Sequence, residues 1–178
     1  GTITPVVCCS AFTLAGVDMV LDMICELMPS PKEADDEICM DSDGNPVELI
    51  CADDQPLAAF VFKTLAVPFV GKMSYVKVLS GKLTADQIPV NTTTGQPERL
   101  GKIIFVKGKK QEDTPQIGAG DIGAVTKLAG TNTGDMLCDP SRPLKCEPME
   151  FPAPCLSIAF KPKAKGDEGK IAQALQRL

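Results

Sequence analysis

The hydrophobic period changes twice along the chain. Ile3 to Val7 is a short apolar, β-branched run that predicts a buried strand. Val17, Val20, Leu21, Ile24, Leu27 and Met28 then recur at helical spacing, with Asp18, Asp22 and Glu26 opposite them. That pattern predicts an amphipathic helix over 17–28, stopped by Pro29 and Pro31, which cannot continue the hydrogen-bond ladder. From residue 57 the period becomes two. Leu57 to Lys63 is one apolar run and Met73 to Leu79 alternates, with a turn at Ser80-Gly81-Lys82. Ile88 to Asn91, Arg99 to Lys107, Gly123 to Leu128, Met136 to Cys138 and the approach to Met149 follow as further short runs, separated by Gly, Pro and Asn turns. Many short strands of this kind predict a β-barrel or sandwich, and closure into a barrel removes exposed edges. After Pro152 and Pro154 the pattern changes again. Leu156 to Phe160 predicts a strand, and Asp167 predicts the cap of a helix whose face carries Ile171, Ala174, Leu175 and Leu178.

Four segments follow from this reading. Residues 1–31 hold a strand and a helix, 32–55 an acidic linker, 56–150 the barrel, and 151–178 a second strand and helix. The two flanking helices carry apolar faces, expected either to pack on the barrel or to drive self-association.

Composition narrows the class. Of 178 residues, 44% are apolar, enough for a core, yet no run approaches the roughly 18–20 apolar residues of a membrane span. Gly1 to Pro5 contains no basic leader region. A soluble, cytoplasmic chain with no membrane partner is expected. The eight cysteines are scattered and include no C-x-x-C pair, so they are expected as reduced thiols that pack as small apolar residues. No metal site is expected. The chain has no histidine, which excludes Ser-His-Asp and Cys-His nucleophilic sites.

The net charge of −5 conceals an asymmetry. Residues 1–56 carry one lysine against twelve Asp and Glu, a net of −11, while residues 57–178 carry seventeen Lys and Arg against eleven Asp and Glu, a net of +6. A basic body fits an RNA-facing surface.

Several motifs fail on inspection. Gly118 to Gly123 matches G-x-G-x-x-G, but a polar stretch with Pro115 precedes it and a strand pattern follows. It is expected as a turn entering a strand, because a dinucleotide site needs a helix N-terminus there. Asp41-x-Asp43-x-Asn45 mimics a calcium loop, but Pro46 stands where the loop needs Gly and Ala52 where it needs Glu. None of the five Gly-Lys pairs has Gly five positions earlier, and no Asn is followed by Lys. The phosphate-cradling loop and the guanine-reading Asn-Lys-x-Asp element are therefore absent from the sequence, and no intrinsic catalysis is expected.

Two stretches resemble a known family. Pro56 to Thr64, Pro68 to Ser74 and Lys77 to Gly81 resemble the opening of the β-barrel domain II of bacterial translation elongation factor G. Ala119 to Ile122, Thr133 to Cys138 and Met149 to Pro154 resemble its later landmarks, in the same order. Val6 to Phe12, with Gly16-Val17 and the helix into Pro31, is similar to the last strand and helix of that family's GTPase domain. Ser10 and Ala11 match its fifth guanine-nucleotide motif, whose backbone lies against the base. Residues 155–178 are similar to the start of domain III. The stretch 32–54, acidic and cysteine-bearing, departs from the family, as does Phe12 to Ala15.

The resemblance implies a mainly β chain: a translation-factor-type barrel flanked by an N-terminal and a C-terminal strand–helix. It implies a piece of a GTP-dependent ribosomal translocation factor in translation elongation. GTP and magnesium would belong to the parent protein, with no cofactor in this piece. Its implied partner is the ribosome, through small-subunit ribosomal RNA, with no DNA partner. The implied role of domain II is to touch that RNA and to couple nucleotide state to the rest of the factor. Phosphate contact requires surface cations, and the candidates are Lys72, Lys77, Lys82, Arg99 and Lys102. Two other readings stand beside this one: the barrel of a ribosomal-protection or other divergent paralogue, and a stand-alone β-barrel interaction module.

Overall fold

A computed structural model describes residues 3–34, 38–67, 71–162, 164 and 166–175. Pro68 to Val70 and Leu178, used in the sequence reading, lie outside the described residues. The chain divides into two compact units, Gly1–Asp35 and Asp36–Leu178.

The first unit contains α1 (Val17–Leu27), close to its predicted span. Gly16 caps it in the left-handed region at φ 73°, where a side chain would be strained. Asp18 in the first turn complements the helix dipole, and the Met28 amide still reaches the Ile24 carbonyl before the prolines intervene. Ile3 to Val7 forms no strand. A strand exists only through a partner for its backbone groups, and none of the described residues pairs with this run.

The second unit holds thirteen strands among its described residues. They are β1 (Ile38–Met40), β2 (Pro46–Glu48), β3 (Ala58–Val67), β4 (Gly71–Ser80), β5 (Leu83–Thr84), β6 (Val90–Asn91) and β7 (Gln96–Pro97), then β8 (Ile103–Lys107), β9 (Lys110–Asp113), β10 (Gln116–Ile117), β11 (Ile122–Thr126), β12 (Met136–Cys138) and β13 (Lys145–Cys146). Eight form one antiparallel sheet in the order β7-β6-β12-β3-β4-β11-β8-β9. β5 and β10 form a separate ladder in which Leu83 faces Ile117. Both side chains are fully buried in the same core as Ala59, Val61, Val76, Val78, Ile103, Val125 and Leu137, so the large sheet curls around one interior.

Alternation explains the layers. In β12, Leu137 enters the interior while Met136 and Cys138 point to the other face. That face is covered by the third sheet, β13-β1-β2, which contributes Cys39 and packs with Leu49, Ala58, Leu79 and Leu144. The segment expected as an acidic linker thus contains a β-hairpin. Its turn is organised by the Asp41 carboxylate, which accepts the amides of Asp43 and Asn45 at 2.9 Å each. These bonds to Asn45 and Asp43 hold the Asp41 carboxyl below its usual range. The acidic residues of the calcium-like motif serve a turn.

The cysteine expectation is corrected. Cys39 of β1 and Cys146 of β13 face each other in register, with Cα atoms 4.2 Å apart, and are joined by a disulfide. Cys8, Cys9, Cys25 and Cys155 are exposed, Cys51 is half-buried, and Cys138 is a buried free thiol. A pairing across 107 residues of sequence is set by the fold and leaves no local pattern.

At the C-terminal end, Leu156 to Phe160 is exposed and pairs with none of the described residues, so the strand expected there does not form. α2 (Glu168–Leu175) forms where a helix was expected after Asp167. No helix among the described residues is long and apolar enough to cross a membrane.

Candidate nucleic-acid interface

One end of the barrel gathers cations through backbone pairing. β4 and β11 run antiparallel with Thr126 opposite Met73, and the ladder continues one step further. There the Lys127 amide donates to the Lys72 carbonyl at 3.0 Å. On the other side of β11, the Thr126 amide donates to the Lys102 carbonyl at 3.0 Å, and the Lys102 amide donates to Thr126 Oγ1 at 3.0 Å. Lys72, Lys127 and Lys102 therefore sit side by side where β4, β11 and the approach to β8 meet.

Lys127 is left-handed, with φ 61°, a conformation that costs an L-residue and that is flanked by these ladder bonds. Gly101 permits the close approach of the next segment: a Cβ there would collide with the Thr126 carbonyl and lie 2.8 Å from Thr126 Oγ1. The Lys102 ammonium pairs with Asp113 at 2.8 Å, both side chains largely exposed, so water and salt screen the pair and leave it weak. The Lys72 ammonium donates to Asn132 Oδ1 at 2.9 Å.

Beneath this rim lies a buried polar network. Glu98, 4% exposed, accepts from the Gly130 amide at 2.7 Å, the Thr131 hydroxyl at 2.8 Å and the Ala129 amide at 3.2 Å. Asn91 Nδ2 donates to Thr131 Oγ1 at 3.1 Å and to Asp135 Oδ2 at 2.9 Å. Asp135 Oδ2 also accepts the Asn132 amide at 2.8 Å. Buried polar groups stabilise only when partnered, and here each carboxylate is tied to the same loop. The loop 129–135 is thereby fixed from below while Asn132 and Thr133 face solvent.

The five sequence candidates separate. Lys72 and Lys102 belong to the rim. Arg99 is exposed between buried Glu98 and Leu100, on the segment that leads into Lys102, so it borders the same end. Lys77 is five residues along β4 from Lys72, about 17 Å away on an extended strand and on the opposite face. It stands in a cross-strand row with Phe60 and Ile122 and lines a groove of about 850 Å³ with Phe62, Leu79 and Met149. Lys82 is exposed in the turn beyond the far end of β4. Lys127 was missed by the sequence reading. Its residue type gives no signal, because its place on the rim comes from the ladder and its positive φ.

Ser10 and Ala11 lie in the other unit. Ser10 Oγ accepts the Thr13 amide at 3.3 Å, and its own amide donates to the Ala15 carbonyl at 3.0 Å. These bonds close the loop on itself, and the described residues include no group of three or more Cys, Asp or Glu placed for a metal. Gly118 to Gly120 form a turn that enters β11, with the Ala119 amide donating to Asp53 at 2.9 Å.

A curled antiparallel barrel with these landmarks is of the translation-factor type. Residues 56–140 match the family model of elongation factor G domain 2. The chain is also similar to a solved structure, a protein from Thermus thermophilus, at 27% identity and a TM-score of 0.67. That similarity covers 91% of this chain and 22% of the other, so this chain spans about a fifth of its relative's length.

Proposed function

We propose that this chain is a portion of a GTP-dependent ribosomal translocation factor and that its barrel contacts small-subunit ribosomal RNA in the cytoplasm. The match of residues 56–140 to elongation factor G domain 2 carries this reading. The rim supports it: Lys72, Arg99, Lys102 and Lys127 place cations at one end of a rigid barrel, which is what phosphate recognition requires. The loop fixed by Glu98 and Asp135 adds Asn132 and Thr133 as neutral hydrogen-bonding groups beside them. The barrel acts in this reading by position, bearing on RNA while the nucleotide chemistry belongs to a GTPase domain with GTP and magnesium. Coupling nucleotide state to the rest of the factor follows from its place between that domain and the next.

Chemical probing of small-subunit RNA with and without the chain tests the proposal. Discrete backbone protections that vanish when the rim lysines are replaced by alanine are expected. An unchanged probing pattern at saturating chain would overturn it.

A further inference from the structure

We propose that the Cys39–Cys146 disulfide is a reversible clasp and that Cys146 is the site at which a small thiol of the glutathione class enters to open and close it. The proposal rests on the cytoplasmic reading above, since a disulfide in a reducing compartment persists only as a responsive one.

The geometry separates the two sulfurs. Cys39 is 0% exposed and enclosed by Leu49, Ala58, Leu79, Met136 and Leu144. Cys146 is half-buried and lines two grooves, of about 850 and 320 Å³. The larger lies within the size range of small-ligand sites. Lys77, Glu147 and Glu150 are the charged groups that line the larger groove, and Lys145 lines the smaller one. A thiolate therefore reaches Cys146 Sγ and not Cys39 Sγ. Its attack forms an S–S bond to Cys146 and breaks the Cys39–Cys146 bond. Cys39 leaves as thiolate and takes a proton. A second small thiol then attacks the mixed disulfide, releasing Cys146 as thiolate and leaving the small-molecule disulfide. The protein gains two electrons and two protons, and two small thiols are oxidised. The small-molecule disulfide closes the clasp by the reverse steps.

The clasp has a defined mechanical target. Among the described residues, β1 meets β13 through two register pairs, Cys39–Cys146 and Met40–Lys145. One of these is the covalent tie. Opening it removes the covalent tie and leaves the hairpin of β1 and β2 held by non-covalent contacts, among them the Met40–Lys145 pair and the packing of Cys39 and Val47. Ile38 and Cys146 line the same groove as Phe60 and Lys77, so release of β1 also loosens one wall of that groove. The third sulfur of the cluster is a spectator. Burial pushes the Cys138 thiol up to about 11, so it stays protonated and does not attack.

The test equilibrates the whole chain in glutathione redox buffers, traps free thiols with N-ethylmaleimide, and maps adducts by mass spectrometry. The same samples undergo brief proteolysis, scored at the Asp41 to Asn45 turn. Expected are a Cys39–Cys146 disulfide at the oxidising end, a glutathione adduct on Cys146 at intermediate poise, and cleavage at the turn about tenfold faster once the disulfide opens. A Cys146→Ser chain should be cleaved at the fast rate at every poise. If that variant fails to fold, the wild-type chain, oxidised and reduced, decides alone. Persistent free thiols at every poise, an adduct on Cys39, or equal cleavage before and after reduction would overturn the clasp. No ribosome enters this assay, so its failure is distinct from a failure to bind RNA.

Discussion

The backbone amide of Lys127 donates a 3.0 Å hydrogen bond to the carbonyl of Lys72, and this bond holds Lys127 in the left-handed region beside a second lysine. Strain at an exposed cation is more informative than the cation itself, because glycine would hold the same backbone at lower cost. The position keeps a charge where the backbone favours its absence.

That relationship separates stability from binding. Lys127→Gly should raise thermal stability by about 1 kcal/mol, because glycine adopts positive φ freely. It should weaken RNA binding as much as Lys127→Ala, which keeps the strain and loses the charge. Thermal melts beside binding isotherms check both. Reduced stability of Lys127→Gly would show that the lysine side chain itself supports the fold.

Glu98 should be the most sensitive polar residue of the barrel. Its two oxygens receive three donors from residues 129–131. Glu98→Gln replaces one acceptor with a donor facing those groups, and a cost of about 2–3 kcal/mol in urea unfolding is expected. Hydrogen exchange at Gly130 and Thr131 should accelerate in the variant.

Gly101 should resist substitution despite its ordinary φ. Gly101→Ala drives a methyl group into the Thr126 backbone, and a loss of about 1–3 kcal/mol in denaturant unfolding is expected. Gly95, with φ 70° and open space around its Cβ position, should lose less.

Cys138 sets an alkaline limit. Burial raises its thiol from 9.0 to about 11. The folded chain therefore keeps the proton that the unfolded chain releases. Stability from this group is complete below about pH 9 and falls as pH rises toward 11. Urea midpoints at pH 8 and 10.5 should diverge for the wild type and converge for Cys138→Ala.

Much of the barrel was legible because its strands are short apolar or alternating runs bounded by turn residues. β3, β4 and β12 fall where Leu57 to Lys63, Met73 to Leu79 and Met136 to Cys138 predicted strands. β8 begins at Ile103 and not at Arg99, because Glu98 is held by the 129–131 loop and Gly101 is pressed against Thr126. The hairpin of β1 and β2 was read as linker, since three-residue strands show too little alternation and their partner lies far along the chain. The site was legible as residue types but not as a place. Lys77 has the same charge as Lys72, yet only the register sets it between Phe60 and Ile122.

The most direct measurement is binding of the chain to isolated small ribosomal subunits across a salt series, for wild type and for the combined Lys72, Arg99, Lys102 and Lys127 alanine variant. Four phosphate contacts predict a log–log slope of about −3, nearly abolished in the variant. A wild-type slope near zero, or a variant that binds as the wild type does, would contradict an RNA-facing rim.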